Sequence, residues 1–222
     1  MFRQPQRALW EAILEQQDRG VKLKLLRARP FLLGLLGDAL TPEHAANRSP
    51  AAQAYIEVQR RVRAALEAAL SELNGNTSAP VVVLAQSLGG HLISNYLWDA
   101  EHRRHLFEGA PERPTGAEAF YALRTLRALH TTGCNIALYT AGLAERRCFQ
   151  PIEGMEWRNF VDPTDLLGWP VRPLGPTYEW VQDQAVHVNR RSILGLGAAH
   201  KNYWRDAAVL KPLAKQLQAL MG

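Results

Sequence analysis

The sequence predicts an α/β fold with a mainly parallel sheet and helices on both faces. Segments of helical periodicity alternate with short apolar runs, which is typical of strand–helix–strand units. The run at 80–85 is β-branched and apolar on both faces, as expected of a strand inside a parallel sheet. The chain has 222 residues and 47% hydrophobic content, enough for one continuous core, so a single domain over 1–222 is predicted.

Periodicity and turn residues predict the individual elements. The predicted helices are 5–17, 50–74, 91–98, 118–130 and 203–221. The predicted strands are 21–25, 80–85, 135–139, a short one around 160–161, and 185–188. The helix at 50–74 is the clearest, because apolar residues recur in it every four positions. Two glycines interrupt the apolar run at 31–38, which fits a short helix and a packed loop equally well.

Charge and cysteine content argue against several functional classes. The net charge is +5, but the arginines are scattered over predicted helix faces without interleaved aromatics, so no nucleic-acid partner is expected. Cys134 and Cys148 form neither a disulfide framework nor a zinc motif, and neither metal nor organic cofactor is expected. The start of the chain lacks the apolar stretch of an export signal, and no run spans a bilayer. A cytoplasmic protein without a transmembrane segment is therefore predicted.

The segment around Ser87 carries the clearest chemical signal. A buried strand runs directly into this serine, Ala85 and Gly89 stand two positions to either side, and a helical pattern follows at once. This context is typical of a nucleophile elbow, in which small flanking residues let strand and helix pass closely. The backbone N–H of Leu88 would then face the developing oxyanion. The alternative is that Ser87 only caps the helix.

A nucleophilic serine needs a base that is oriented by an acid, in the chain order serine, acid, histidine for this kind of fold. His200 follows a small-residue loop before the last helix, and is preferred to His130, predicted to end a helix at the surface, and to His187, predicted within a strand. Asp162 and Asp165 both follow the strand around 160–161. Asp165 is favoured as the acid from its loop position, whereas Asp162 fits a turn-capping role.

These motifs resemble the α/β-hydrolase superfamily, and more weakly its lipase-like, DDHD-type phospholipase branch. The resemblance rests on 85–90, 159–170 and 199–204, where Asp165 precedes an apolar stretch ending in Trp169 and His200 is followed by Tyr-Trp. It implies a serine esterase or lipase with an α/β-hydrolase-like sheet and the site residues Ser87, Asp165 and His200. The resemblance fades before residue 50, so the N-terminal strands are expected to be reduced or missing. Gly34 and Gly37 are candidates for a loop supplying the second oxyanion donor.

The expected activity is hydrolysis of a small-molecule or lipid-like carboxylic ester through an acyl-enzyme. Transfer of the acyl group to another alcohol would use the same residues. Four tryptophans near the acid and the histidine fit an acyl pocket and core packing equally well; they are Trp157, Trp169, Trp180 and Trp204. The alternative function is a non-catalytic hydrolase-like domain that binds a partner or a lipid. Missing strands would leave an open sheet edge, which a homodimer would cover.

Overall fold

A computed structural model describes residues 4–15, 50–188 and 198–221 of the chain. Its helices are α1 (Gln4–Glu15), α2 (Pro50–Glu72), α3 (Leu88–His102), α4 (Gly116–Tyr121), α5 (Ile136–Thr140), α6 (Ala198–Asn202) and α7 (Ala207–Met221). Its strands are β1 (Val81–Gln86), β2 (Leu126–Thr132), β3 (Glu156–Val161) and β4 (Gln182–Ala185). Short 3₁₀ turns lie at His105–Phe107, Arg172–Leu174, Pro176–Tyr178 and Tyr203–Arg205.

The four strands form one sheet in the order β1-β2-β3-β4, and every neighbouring pair is parallel. The parallel sheet predicted from the sequence is therefore confirmed at the level of an α/β fold. Because all four strands point the same way, their carboxyl ends meet at one edge of the sheet. In register, Ala85 lies opposite Thr131, which lies opposite Asn159.

Both faces of the sheet are covered. Adjacent side chains on a strand point to opposite faces. Trp157 and Val161 accordingly join the larger core cluster with α1 and α3, whereas Phe160 joins a second cluster. The second cluster includes Tyr203 and Val209 of the C-terminal region. The central strand β2 is buried along almost its whole length, as expected for a strand covered on both sides.

A polar cluster joins α2 to the C-terminal half of α3. The Tyr55 hydroxyl donates to Oδ2 of Asp99 at 2.5 Å, and Nδ1 of His105 lies 3.0 Å from the same oxygen. Asp99 is 4% exposed, and these two hydrogen bonds offset the cost of burying its side-chain oxygens. Burial, followed by the hydrogen bond to Asp99, raises the pKa of Tyr55 far above its usual range, and the phenol remains a donor at any physiological pH.

The predicted helices at 5–17, 50–74 and 91–98 and the strands at 80–85 and 160–161 are present, with ends shifted by a few residues. The closing helix predicted at 203–221 begins as a 3₁₀ turn and continues as α7. The regions 21–25 and 31–38, which include Gly34 and Gly37, lie outside the described residues. No helix among the described residues combines the length and the apolar character that crossing a membrane requires.

Two predicted elements are wrong in type. The helix predicted at 118–130 ends at Tyr121, a turn with Leu123 at φ 57° follows, and the remainder is β2. The residues of β2 have ordinary helix propensity, but a central position buried on both faces overrides it. The strand predicted at 135–139 is the short helix α5, which is largely buried beyond the end of β2.

The last strand is displaced from its predicted position. β4 spans Gln182–Ala185 instead of 185–188, and only the Val186 N–H extends the pairing, by donating to the carbonyl of Val161 at 3.0 Å. The predicted and observed positions differ because three of the four β4 residues are polar. An edge strand of this composition lacks the apolar run that marks a buried strand.

Candidate active site

Ser87 occupies a strained turn between β1 and α3. Its backbone has φ 55° and ψ −122°, a conformation that non-glycine residues rarely adopt and that costs about 1–3 kcal/mol. Hydrogen bonds hold the turn on both sides: the Ser87 N–H donates to the carbonyl of Thr132 at 2.9 Å, and the Gly90 N–H donates to the carbonyl of Ser87 at 3.1 Å. The Ser87 side chain makes no capping bond to α3, so helix capping does not explain this serine.

The residues flanking Ser87 let β1 and α3 meet closely. Ala85 is 7% exposed, and a Cβ atom on Gly89 would lie in ordinary contact with its methyl group, at 3.7 Å. Alanine in place of a glycine at position 85 is therefore accommodated. Leu88 is the first residue of α3 and has no carbonyl within the helix four residues before it, so its N–H is available at the open end.

Asp165 and His200 form a hydrogen-bonded pair next to this turn. Nδ1 of His200 lies 2.9 Å from Oδ2 of Asp165, whose carboxylate is completely buried while the imidazole is partly exposed. Asp165 also accepts the hydroxyl of Tyr203 at 3.0 Å and the N–H of Leu167 at 3.0 Å. A buried carboxylate with these donors holds the Nδ1–H tautomer and leaves Nε2 as the basic atom.

Asp162 makes different contacts from Asp165. Its Oδ1 accepts the backbone N–H and the hydroxyl of Thr164, at 2.7 and 2.6 Å, and its Oδ2 accepts the N–H of Val188 at 2.8 Å. These bonds fold the turn after β3 and fix the segment that follows β4. Of the two aspartates predicted from the sequence, Asp165 is thus the one that the structure brings to His200.

The side chain of Gln86 connects the serine turn to the histidine helix. Its Nε2 donates to the backbone carbonyl of His200, and its Oε1 accepts the indole N–H of Trp204 at 2.9 Å. Gln86 immediately precedes Ser87, so this double contact fixes α6 against the carboxyl end of β1. Within the described ranges Ser87 Oγ has no hydrogen bond to His200, and its partner is Nδ2 of Asn135 at 3.5 Å.

Two glycines leave space for the Asp165–His200 pair. Gly133 has φ 54°, and a Cβ atom there would lie 2.9 Å from both Oδ2 of Asp165 and Nδ1 of His200. A Cβ atom on Gly168 would lie 2.6 Å from the same carboxylate oxygen. Since real Cβ atoms do not approach so closely, neither position accepts a larger residue without displacing the pair.

Burial keeps the phenol of Tyr203 and the thiol of Cys134 in their neutral forms. Desolvation, followed by the charge of Asp165, raises the pKa of Tyr203 far above its usual range, so its hydroxyl is a permanent donor to the carboxylate. Burial raises the pKa of Cys134 to about 12, so this thiol stays protonated at neutral pH. No group of three or more metal-ligating side chains that could hold an ion occurs within the described part of the chain.

The alternative histidines lie in other environments. His130 was expected at the surface end of a helix, which is wrong: it lies within β2, is 1% exposed, and its Nε2 is 2.6 Å from Oε1 of Gln216. His187 is exposed and follows β4 instead of lying within it.

The tryptophans near the site serve mainly as core residues. Trp157 stacks on Phe149 with ring centroids 5.6 Å apart, and Trp169 packs edge-on against Trp10 at 6.3 Å. Both Trp157 and Trp169 are at most 1% exposed. Trp180 and Trp204 are partly buried, and Trp204 is tied to Gln86. Core packing therefore accounts for Trp157 and Trp169, and these two do not line an open acyl pocket.

Gln86 and Asn135 are not among the site residues predicted from the sequence. Gln86 carried a signal, as the polar end of an apolar strand directly before the serine. Asn135 follows the carboxyl end of β2, the strand that pairs with β1 and so lies beside Ser87. This position can be recognised only if β2 is predicted correctly, and a strand predicted at 135–139 hides it.

The described fold is of the α/β class, and polar side chains from segments that follow the four strands gather at the carboxyl edge of the parallel sheet. Comparison with protein-family models, with curated proteins and with solved structures found no match for this chain. The function is therefore argued from the chemistry of the site.

Proposed function

We propose that the protein is a serine hydrolase that cleaves carboxylic esters through an acyl-enzyme. Ser87 is the nucleophile, His200 the general base and acid, and Asp165 the residue that orients the imidazole. The observation that carries the proposal is the buried Asp165–His200 hydrogen bond of 2.9 Å, which Gln86 ties to a strained serine turn. A helix-capping serine would need neither the strain nor the adjacent pair.

In the proposed reaction, Ser87 Oγ attacks the ester carbonyl while Nε2 of His200 takes the hydroxyl proton. The negative charge develops on the former carbonyl oxygen, where the Leu88 N–H stabilises it. The intermediate collapses, and His200 returns the proton to the departing alcohol, leaving the acyl group on Ser87. Water then attacks the acyl-enzyme with His200 as the base, and the acid is released.

Two exposed leucines support an apolar ester as substrate. Leu88 follows the nucleophile and is 40% exposed, and Leu167 donates its N–H to Asp165 and is 38% exposed. Apolar side chains next to Ser87 and next to the Asp165–His200 pair favour an apolar ester over a charged substrate. A short acyl chain and a lipid-like chain both fit this surface.

The first test is covalent labelling with a fluorophosphonate probe, followed by peptide mass spectrometry. Such a probe reacts with an activated serine regardless of the substrate that the enzyme prefers. We expect labelling at Ser87, loss of it in Ser87→Ala, and strong slowing in His200→Ala. Ser94→Ala is the matched control, because Ser94 is a buried serine on the same helix, α3.

Unlabelled wild-type protein and the same variants would next be assayed with p-nitrophenyl esters of increasing chain length, with and without an added alcohol to detect acyl transfer. If folded wild-type protein is not labelled, or if Ser87→Ala hydrolyses esters as well as the wild type, the hydrolase proposal is wrong. Absence of labelling would then favour a non-catalytic domain.

A further inference from the structure

The amide of Asn135 is positioned beside the nucleophile. Asn135 lies between β2 and α5, and β2 is the neighbour in the sheet of β1, the strand that Ser87 directly follows. Its Nδ2 points at Ser87 Oγ over 3.5 Å, the outer limit of a hydrogen bond. A donor at this distance binds the ground-state hydroxyl only weakly.

The side chain of Asn135 makes no capping hydrogen bond to the helix that it precedes. It stands at the N-cap position of α5, where an asparagine oxygen normally accepts an N–H of the first turn. Here the side chain makes no such bond, and Oδ1 is buried with no hydrogen-bond partner among the described residues. Leaving a buried carbonyl oxygen unpaired costs free energy, so local helix formation does not explain this orientation.

The loop that carries Asn135 is held rigidly. The Gly133 N–H donates to the carbonyl of Phe160 at 3.2 Å, and the carbonyl of Cys134 accepts the Trp169 N–H at 2.8 Å. Asn135 itself is 8% exposed. Its amide is therefore fixed before substrate arrives, which is the condition for stabilising developing charge without reorganisation.

We propose that Asn135 Nδ2 is the second donor of the oxyanion hole, together with the Leu88 N–H. This inference rests on the proposed hydrolase function. When Ser87 Oγ bonds to the carbonyl carbon, the oxyanion is attached to that same carbon. The oxyanion is therefore separated from Oγ by a single carbon atom, within reach of a donor that faces Oγ. No proton is transferred: Asn135 donates a hydrogen bond that strengthens as the carbonyl oxygen becomes negative.

The role predicts a loss in kcat instead of in substrate affinity. Removing one oxyanion donor typically lowers kcat about 100- to 1000-fold. We expect that loss in Asn135→Ala with KM changed only a few-fold, and at least as large a loss in Asn135→Asp, because a carboxylate would repel the oxyanion. Asn95→Ala is the matched control, since the Asn95 amide faces His91 instead of Ser87, at 3.1 Å.

The experiment combines p-nitrophenyl butyrate kinetics with inhibition by an alkyl boronic acid, which forms a tetrahedral adduct on an active serine. We expect Asn135→Ala to weaken boronate inhibition in proportion to its loss of kcat, an effect that a structural role alone would not produce. Urea unfolding of each variant establishes that it is folded. If Asn135→Ala does not fold, the isosteric Asn135→Asp takes its place in the test.

Three results would overturn the inference while leaving the hydrolase intact: Asn135→Ala within threefold of wild-type kcat, Asn135→Asp with wild-type activity, or a kcat loss without weaker boronate inhibition. Fluorophosphonate labelling of the wild type at Ser87 keeps these results separate from failure of the proposed function. If folded wild-type protein is not labelled, both proposals fail together.

Discussion

Exchanging Asp165 for asparagine preserves the shape of the side chain and removes its charge. The carboxylate accepts His200 and Tyr203 through Oδ2 and Leu167 through Oδ1. The asparagine of the variant has a single side-chain oxygen. It can accept either from His200 and Tyr203 or from the Leu167 N–H, but not from both sides. If its NH₂ faces His200, Nδ1 must become the acceptor and Nε2 carries the proton. The histidine can then no longer accept the proton of Ser87.

The wrong tautomer sets the size of the effect. In a Ser-His-Asp triad this substitution lowers kcat by ~10⁴-fold, which corresponds to about 5 kcal/mol of transition-state stabilisation. Loss of one charge-assisted hydrogen bond also lowers the free energy of unfolding by roughly 1.5–3 kcal/mol. We therefore expect Asp165→Asn to remain folded and to be nearly inactive. The assay is ester hydrolysis at saturating substrate, with urea unfolding of the same preparation.

Asp162→Asn is the matched control, because it removes the charge of a buried aspartate three residues away. Asp162 binds Thr164 and Val188, so its loss should lower the free energy of unfolding by a similar amount while kcat falls less than about tenfold. Similar mild losses of kcat in both variants, or a larger loss in Asp162→Asn, would refute the assignment of Asp165 as the acid.

Three further predictions concern contacts around the site and between the helices. Gln86→Leu removes the tether to the carbonyl of His200, and we expect kcat for ester hydrolysis to fall by ~100-fold through misplacement of the imidazole; wild-type kcat would exclude a positioning role. Burial lowers the pKa of His91 from 6.5 to about 4, so the stabilising neutral form is fully present above pH 6.5 and is lost as the pH falls towards 4. Between pH 7 and pH 4.5 the free energy of unfolding should therefore fall by ~2.5 kcal/mol more in the wild type than in His91→Gln, as measured by urea unfolding. Equal decreases in the two proteins would contradict the shifted pKa. Tyr55→Phe removes a 2.5 Å donor from the buried Asp99 and should lower the free energy of unfolding by about 1.5–3 kcal/mol without altering fluorophosphonate labelling; an unchanged unfolding midpoint would show that the hydroxyl contributes nothing.

Local sequence was sufficient where the structure depends on neighbouring residues in the chain. A β-branched run followed by small-x-Ser-x-Gly predicted β1, the turn and α3, because strand propensity and the close packing of the turn are set within about ten residues. The four-residue period of α2 predicted that helix for the same reason. The chain order serine, acid, histidine likewise selected Ser87, Asp165 and His200 as candidates. Their catalytic roles stay predictions.

Tertiary structure decided what depends on contacts between distant segments. β2 could not be told from a helix, because burial on both faces removes the alternation that marks a strand. Asp162 and Asp165 look alike in the sequence and differ only in their tertiary contacts. Asp165 is paired with His200 of α6, whereas Asp162 accepts the N–H of Val188 after β4. Gln86 forms its hydrogen bond with His200, which is 114 positions away in the chain. Asn135 contacts Ser87, which is 48 positions away. Hydrogen bonds across such separations depend on sheet order and register, which no local pattern encodes.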